Sequence, residues 1–282
     1  MDFPTLLGVD QLTMSYTADV PALEAVTFEL HQGTLHAILG ADGAGKTTLM
    51  KILGGAIPTD KTTGQILLGG QPLVLRTLAD GIHRGIAMVP RKIAVFDHMS
   101  VSDNLMVASW QQDRRFVTSR RATESRASDL LARWGIDLDL SASVRAMSPL
   151  QQREMMILRA LAAAPQVLIL DEPLAGITGQ HAASQLLLAV RRLVDRGATC
   201  LYMARRPAEA MQVAQTITVL RDGAVNGTWE RIQFDEVTLS AAMASQRLGD
   251  APAIRPDDDF AERGGLFGPL SETFDRWFRP RS

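Results

Sequence analysis

Gly40-Ala41-Asp42-Gly43-Ala44-Gly45-Lys46-Thr47 follows directly on the apolar run Leu35-His36-Ala37-Ile38-Leu39. A G-x-x-x-x-G-K-[ST] pattern at the end of a buried strand restricts the chain to a strand, a tight loop and a helix, in that order. Glycines let the loop backbone curl until its N–H groups converge on a polyphosphate. Lys46 brings a point charge to the β and γ phosphates, and the Thr47 hydroxyl supplies a ligand for Mg²⁺. Thr48 to Leu53 open a helix whose N-terminal dipole attracts the same anion. Gly40, Ala41, Asp42, Gly43, Ala44, Gly45, Lys46, Thr47 and Thr48 are therefore the candidate phosphate-binding residues, and the expected ligand is a nucleoside triphosphate.

Composition narrows the partners. A chain of 282 residues with 46% hydrophobic content buries one large core, or a core with a smaller lobe. Its 29 basic residues against 31 acidic ones leave a formal charge of -2, which predicts no nucleic-acid partner. Arg114, Arg115, Arg120, Arg121, Arg126 and Arg133 cluster, but Asp113, Glu124 and Asp129 lie among them, as on a solvated helix face. Cys200 is the one cysteine, so an intrachain disulfide is excluded; within Thr199–Met203 it reads as a buried strand thiol in a reducing compartment. Met1-Asp2-Phe3-Pro4 lacks a basic n-region followed by an apolar stretch, so no leader is expected, and no segment reaches the roughly 18 apolar residues of a membrane span. The chain is expected to be soluble and to meet a membrane only through a partner.

Strand-like runs recur at Val26–Leu30, Leu35–Leu39, Gln65–Leu68, Ile86–Val89, Val167–Leu170, Thr199–Met203 and Thr216–Leu220. Several are apolar at successive positions, the pattern of strands covered on both faces, and predict a parallel sheet in an α/β layer. Between Val89 and Val167 the residues favour helix. The expected organisation is a nucleotide-binding core at 1–92 and 165–230, a helical insertion at 93–164 and a C-terminal extension at 231–282. Ala224–Trp229 reads as a last hairpin strand and Asp257-Asp258-Asp259 as a solvated linker. Leu270, Phe274, Trp277 and Phe278 share one helical face, expected to dock on the chain's own body in preference to a partner or a membrane surface.

A phosphate loop alone leaves kinase, GTPase and motor open. Val167-Leu168-Ile169-Leu170-Asp171-Glu172-Pro173 is an apolar strand ending in two acids, which places Asp171 at the carboxyl end of the sheet, where open α/β folds bind ligands. Asp171 is the candidate Mg²⁺ carboxylate with Thr47, and Glu172 the residue that orients or deprotonates an attacking water.

These residues carry a resemblance to the nucleotide-binding subunits of ATP-binding cassette (ABC) transporters, in particular to the ATPases of bacterial monosaccharide importers. It runs from about Leu12 to Gly249 through Gly40–Leu53, Gly85–Val89, Leu170–Pro173, Ala175-Gly176-Ile177-Thr178 and Thr218–Gly223. The resemblance implies a P-loop NTPase fold, a RecA-like α/β core with an inserted helical subdomain. It implies ATP and Mg²⁺, with Lys46 and Glu172 in catalysis and Tyr16 stacked on adenine, although alone Tyr16 reads equally as a strand core residue. It also implies integral membrane permease subunits, a second ATP-binding subunit forming a homodimer or heterodimer, indirectly a solute-binding protein, and a peripheral position on the cytoplasmic face of the cell membrane.

The chain departs from that family at three positions. Arg91, in Pro90-Arg91-Lys92, stands where the family has a glutamine near Mg²⁺ and the attacking water. Met147-Ser148-Pro149-Leu150-Gln151 replaces Leu-Ser-Gly-Gly-Gln, the signature that closes on the opposite subunit's nucleotide; Ser148 and Gln151 keep an S-x-x-Q capping box, while Leu150 removes a glycine. Arg205 replaces the switch histidine and, as a guanidinium, binds a γ-phosphate without copying imidazole geometry. An ATPase driving uptake of a sugar or similar solute is the first expectation. The alternative is a nucleotide-binding regulatory or structural subunit that hydrolyses little, and a soluble cassette of nucleic-acid metabolism is disfavoured by the charge balance.

Overall fold

The apolar runs become strands that are buried on both faces. In the computed structural model, which describes residues 4–17, 20–110 and 119–244, β3 (Leu35–Leu39), β7 (Val167–Asp171) and β8 (Cys200–Ala204) are buried at every position. They lie with β6 (Ile86–Val89), β9 (Thr216–Arg221) and β10 (Ala224–Glu230) in a six-stranded sheet of order β10-β9-β3-β8-β7-β6. Every pairing except the β9–β10 hairpin is parallel. Parallel neighbours need long crossovers, which the helices provide while covering the sheet faces. The fold is thus the α/β class expected, with Cys200 buried on β8.

Val26–Leu30 and Gln65–Leu68 do not join that parallel sheet. They lie in β2 (Pro21–His31) and β4 (Thr63–Leu68), members of a second, antiparallel sheet of order β2-β1-β4-β5. It includes β1 (Thr5–Ser15), which the apolar runs did not reveal, and β5 (Gln71–Pro72). Alternation along β1 resets at Gln11, whose φ of 50° marks a bulge, and β2 carries its own irregularity at Ala25, with φ of 48°. Thr27 Oγ1 accepts the Gln11 amide and Thr13 Oγ1 the Ala25 amide, each at 2.9 Å, so the bulges leave no orphaned donor there. A strand cut in two by a bulge carries no sustained period-two signal.

Helix α1 (Lys46–Leu53) follows β3, and α2 (Leu78–His83) precedes β6. Between β6 and β7 the chain forms α3 (Val101–Trp110), α4 (Arg120–Trp134) and α5 (Pro149–Leu161). On α4, Arg120 pairs with exposed Glu124 at 2.9 Å, in keeping with a solvated charge-alternating face. Helix α6 (Gln180–Asp195) crosses from β7 to β8, α7 (Pro207–Val213) leads to β9, and α8 (Glu236–Met243) follows β10. Leu239 of α8 is fully buried in the main core, and Asn226 on β10 donates to Ala242 O at 2.7 Å. The acidic triplet at 257–259 and the apolar face from Leu270 to Phe278 lie outside the described residues. No helix among the described residues is long and apolar enough to cross a membrane.

His36 joins the two sheets. Its Nδ1–H donates to Glu29 O of β2 at 2.7 Å, and its Nε2 accepts the Thr218 hydroxyl of β9 at 2.8 Å. A carbonyl on one side requires the neutral Nδ1–H tautomer. Burial, with a smaller push from His31, brings its pKa down from 6.5 to about 4 despite the opposing hydrogen bond. The unfolded chain takes up this proton near 6.5 and the folded state only near 4, so stability falls as pH is lowered through that window. The loss from this group amounts to at most about 3 kcal/mol. Urea midpoints measured across the window are expected to decline, and His36→Gln to flatten the decline; an unchanged slope would count against the assignment.

Tyr202 on β8 is fully buried, and its hydroxyl finds no hydrogen-bond partner among the described residues. A buried hydroxyl without a partner costs more than a ring edge of the same shape. Tyr202→Phe is therefore expected to raise unfolding stability, by about 1 kcal/mol in urea titration. A loss of that size would instead reveal a bond that the hydroxyl makes.

Candidate active site

The loop after β3 turns on residues that only glycine suits. Gly45 caps α1 with φ of 103°, and a Cβ there meets Ala22 O at 2.8 Å and Leu23 Cδ2 at 2.9 Å. At Gly40 a Cβ lies 2.7 Å from Leu220 O, so a side chain would force the loop off β9. Lys46 is almost fully buried and donates to Gly40 O at 2.8 Å and Ala41 O at 3.0 Å, curling its own loop around its ammonium group. Burial lowers the Lys46 pKa, opposed chiefly by the charge of Glu172. Thr47 is exposed at the loop mouth, while Thr48 is buried.

The parallel order decides what surrounds that loop. Leu39 pairs with Ala204, Met203 with Asp171, and Leu170 with Val89, so β3, β8, β7 and β6 end side by side. The residues just past those ends are the phosphate loop, Arg205, Glu172 and Arg91. Glu172 Oε1 lies 3.7 Å from Lys46 Nζ, and its Oε2 lies 3.4 Å from Arg91 Nε and 3.8 Å from Arg205 Nη1. Oε2 is buried and accepts no hydrogen bond from the described residues, so its two arginine contacts are purely ionic. Glu172 also holds φ of 41°, an unfavourable region for a side-chain-bearing residue, fixed where its N–H donates to Met203 O and its carbonyl accepts from Ala175 N–H. Arg205 reaches further and pairs with Asp42 inside the loop itself.

Asp171 ends β7 beside this cluster, buried, with its pKa pushed up to about 6 by burial and then by the charge of Glu172. A carboxylate whose charge is disfavoured in this way gains strongly from a cation. Its oxygens, and the Thr47 hydroxyl at the loop mouth, are the hard donors that Mg²⁺ takes, few from protein and the rest from water and substrate phosphates. The residues present fit that ion.

The remaining candidates sit apart. Tyr16 is half exposed, with its hydroxyl 3.3 Å from Thr48 Oγ1, hence at the rim of the loop rather than in a strand core. Ser148 and Gln151 form the expected capping box at the start of α5: Ser148 Oγ accepts the Gln151 amide at 3.3 Å and Gln151 Oε1 accepts the Ser148 amide at 3.0 Å. Leu150 turns partly into the main core.

One residue escaped the sequence reading. Arg153 on α5 is fully buried and donates to Pro90 O and Arg91 O at 2.6 Å each and to Ala175 O at 3.1 Å. It ties α5 to the segments carrying Arg91 and following Glu172. Its signal was an arginine between Leu150 and Ile157 on the apolar stripe of an amphipathic helix, where a charge is out of place.

Comparison with known proteins agrees with this geometry. The ABC transporter family model matches residues 23–175. The chain is 34% identical over 238 residues to the xylose import ATP-binding protein of Geobacillus kaustophilus, a match covering 84% of this chain and 47% of that protein. It is 35% identical over 244 residues to a ribose import ATP-binding protein of Burkholderia thailandensis, covering 86% and 47% respectively. The chain thus spans about half the length of the curated relatives it matches. Among solved structures, an ATP-binding cassette of an ABC transporter superposes with a TM-score of 0.73 at 18% identity, over 86% of this chain and all of that one. An ATP-binding subunit of an ABC transporter superposes with a TM-score of 0.61 at 27% identity, over 80% of this chain and 90% of the other. With over half of its length matched by the family model and the phosphate loop, paired acids and cassette architecture in place, this chain belongs to the ABC transporter family.

Proposed function

We propose that this chain is the ATP-binding subunit of an importer, coupling ATP binding and hydrolysis to uptake of a sugar or similar small solute. The convergence of the β3, β8, β7 and β6 ends on one phosphate loop carries the reading. The printed roles of the relatives, ribose and xylose import, support the solute class.

Gly40 to Thr48 cradle the phosphates, Lys46 neutralises them, and Tyr16 meets the adenine at the loop rim. Thr47 and Asp171 would hold Mg²⁺, which would supply positive charge against the charge developing on the phosphate oxygens. Glu172 orients the attacking water and takes its proton. A second ATP-binding subunit, identical or different, presents Ser148 and Gln151 of its own signature helix across the dimer. Integral membrane permease subunits dock on the pair at the cytoplasmic face, and a solute-binding protein delivers cargo from the other side. Neither the charge balance nor the site favours a nucleic-acid partner.

The test is reconstitution of the full chain with its membrane subunits in vesicles, following ribose or xylose entry. Entry is expected to require ATP inside and to vanish with Lys46→Ala. Entry that persists without ATP, or with the lysine removed, overturns the reading.

A further inference from the structure

The phosphate loop of this chain carries a carboxylate of its own, Asp42. Asp42 is exposed, and left alone it would repel the polyphosphate the loop is shaped for. It is not alone, because Arg205 pairs with it from the neighbouring strand end. The same guanidinium stands 3.8 Å from Glu172 Oε2, and Arg91 stands 3.4 Å from that oxygen on the other flank. Arg205 thereby spans the mouth of the cradle, from the loop to the paired acids.

The backbones of both arginines are fixed, while their heads are half exposed and held only by exchangeable carboxylate partners. The Arg91 carbonyl accepts from buried Arg153 at 2.6 Å, and the Arg205 N–H donates to buried Glu209 at 2.6 Å. The side chains themselves are 49% and 42% exposed. Their contacts to Glu172 Oε2 are ionic and loose, and that oxygen accepts no hydrogen bond from the described residues. Loose ion pairs with half-exposed guanidinium groups are weak, and Arg binds phosphate oxygens bidentately. A terminal phosphate carries more charge than a carboxylate and competes for the same donors.

We propose that Arg205 and Arg91 form a clasp over the phosphate loop that exchanges Asp42 and Glu172 for the terminal phosphate of the bound nucleotide, making the site selective for triphosphate over diphosphate. The exchange releases Glu172 toward the attacking water only when a third phosphate is present. Specificity then comes from this chain's own residues before a second subunit closes. The inference rests on the nucleotide reading of the site given above.

The experiment is equilibrium binding of Mg²⁺ complexes of a non-hydrolysable ATP analogue and of ADP to the full chain, by calorimetry. Arg205→Ala and Arg91→Ala are each expected to weaken the triphosphate about tenfold and leave ADP within about twofold, the worth of one charge-assisted contact. Asp42→Asn is expected to tighten the triphosphate in the otherwise unaltered chain and to have no such effect alongside Arg205→Ala, because its influence passes through that guanidinium. Retained ADP binding shows that each variant is folded. Equal weakening of both nucleotides, no weakening of either, or an Asp42→Asn effect that survives loss of Arg205 overturns the clasp while leaving the nucleotide site standing. A chain that binds neither nucleotide overturns the site reading itself, and the clasp with it.

Discussion

Glu172→Gln is expected to lower steady-state ATP hydrolysis by about 10²- to 10⁴-fold, the range contributed by a positioned general base, while nucleotide still binds. Glutamine keeps the size of the side chain and the strained backbone at φ of 41°, so the phosphate loop and the end of β7 are left in place. What disappears is the proton acceptor and the one carboxylate facing Lys46, Arg91 and Arg205 together. With that competing charge gone the cations answer nucleotide phosphates more freely, although Arg205 keeps Asp42, so the apparent affinity is expected to hold or rise as turnover collapses. Single-turnover phosphate release beside analogue binding separates the two effects. A residual rate within about tenfold of the unaltered chain would move the base elsewhere.

Arg153→Ala is expected to cost about 3 kcal/mol of folding stability, the scale of a buried large-to-small change that also strips donors from buried carbonyls. Among the described residues Arg153 is an interior cation with no carboxylate in hydrogen-bond contact; its two terminal nitrogens donate to the carbonyls of Pro90, Arg91 and Ala175, while its buried Nε finds no partner there. Burial lowers its pKa, so part of what its contacts provide is already spent on desolvation. Arg153→Met keeps much of the volume and isolates the lost donors. The positioning role has its own readout: with the Arg91 carbonyl released, the preference for triphosphate over ADP is expected to narrow even where enough stability remains for binding. Urea unfolding in the presence of chelator measures the first effect and paired binding constants the second. An Arg153→Ala loss below about 1 kcal/mol would mean that relief of desolvation cancels the broken bonds.

The features legible in the sequence were those carried by contiguous residues. Leu35–Leu39 was bounded correctly because a strand covered on both faces is an unbroken apolar run. The Ser148 and Gln151 capping box was readable because its partners are three residues apart. β1 was not readable, since its alternation resets at the Gln11 bulge, and β2 and β4 were readable as strands but not as antiparallel ones. A strand's own pattern records which faces are covered, and nothing in it names the neighbour or the direction of pairing. Arg153 was overlooked because its partners are carbonyls, which any residue supplies, lying 63, 62 and 22 positions away.

The departures from the family pattern follow the same division. The sequence shows arginines at 91 and 205 and an aspartate at 42, and from these it predicts altered contacts at a γ-phosphate. It does not show that Arg205 holds Asp42 across 163 residues, or that both arginines face Glu172. By itself the sequence determined the phosphate loop, the strand that carries Asp171 and Glu172, and the helix start at Ser148. All of these are set by local backbone preferences and by the period of apolar residues. Only the tertiary structure decided that β8 and β7 lie between β3 and β6. That order brings four strand ends together and places three cations around one buried acid. Parallel pairing is made through long crossovers, so the neighbour of each strand is chosen by the packing of the whole sheet.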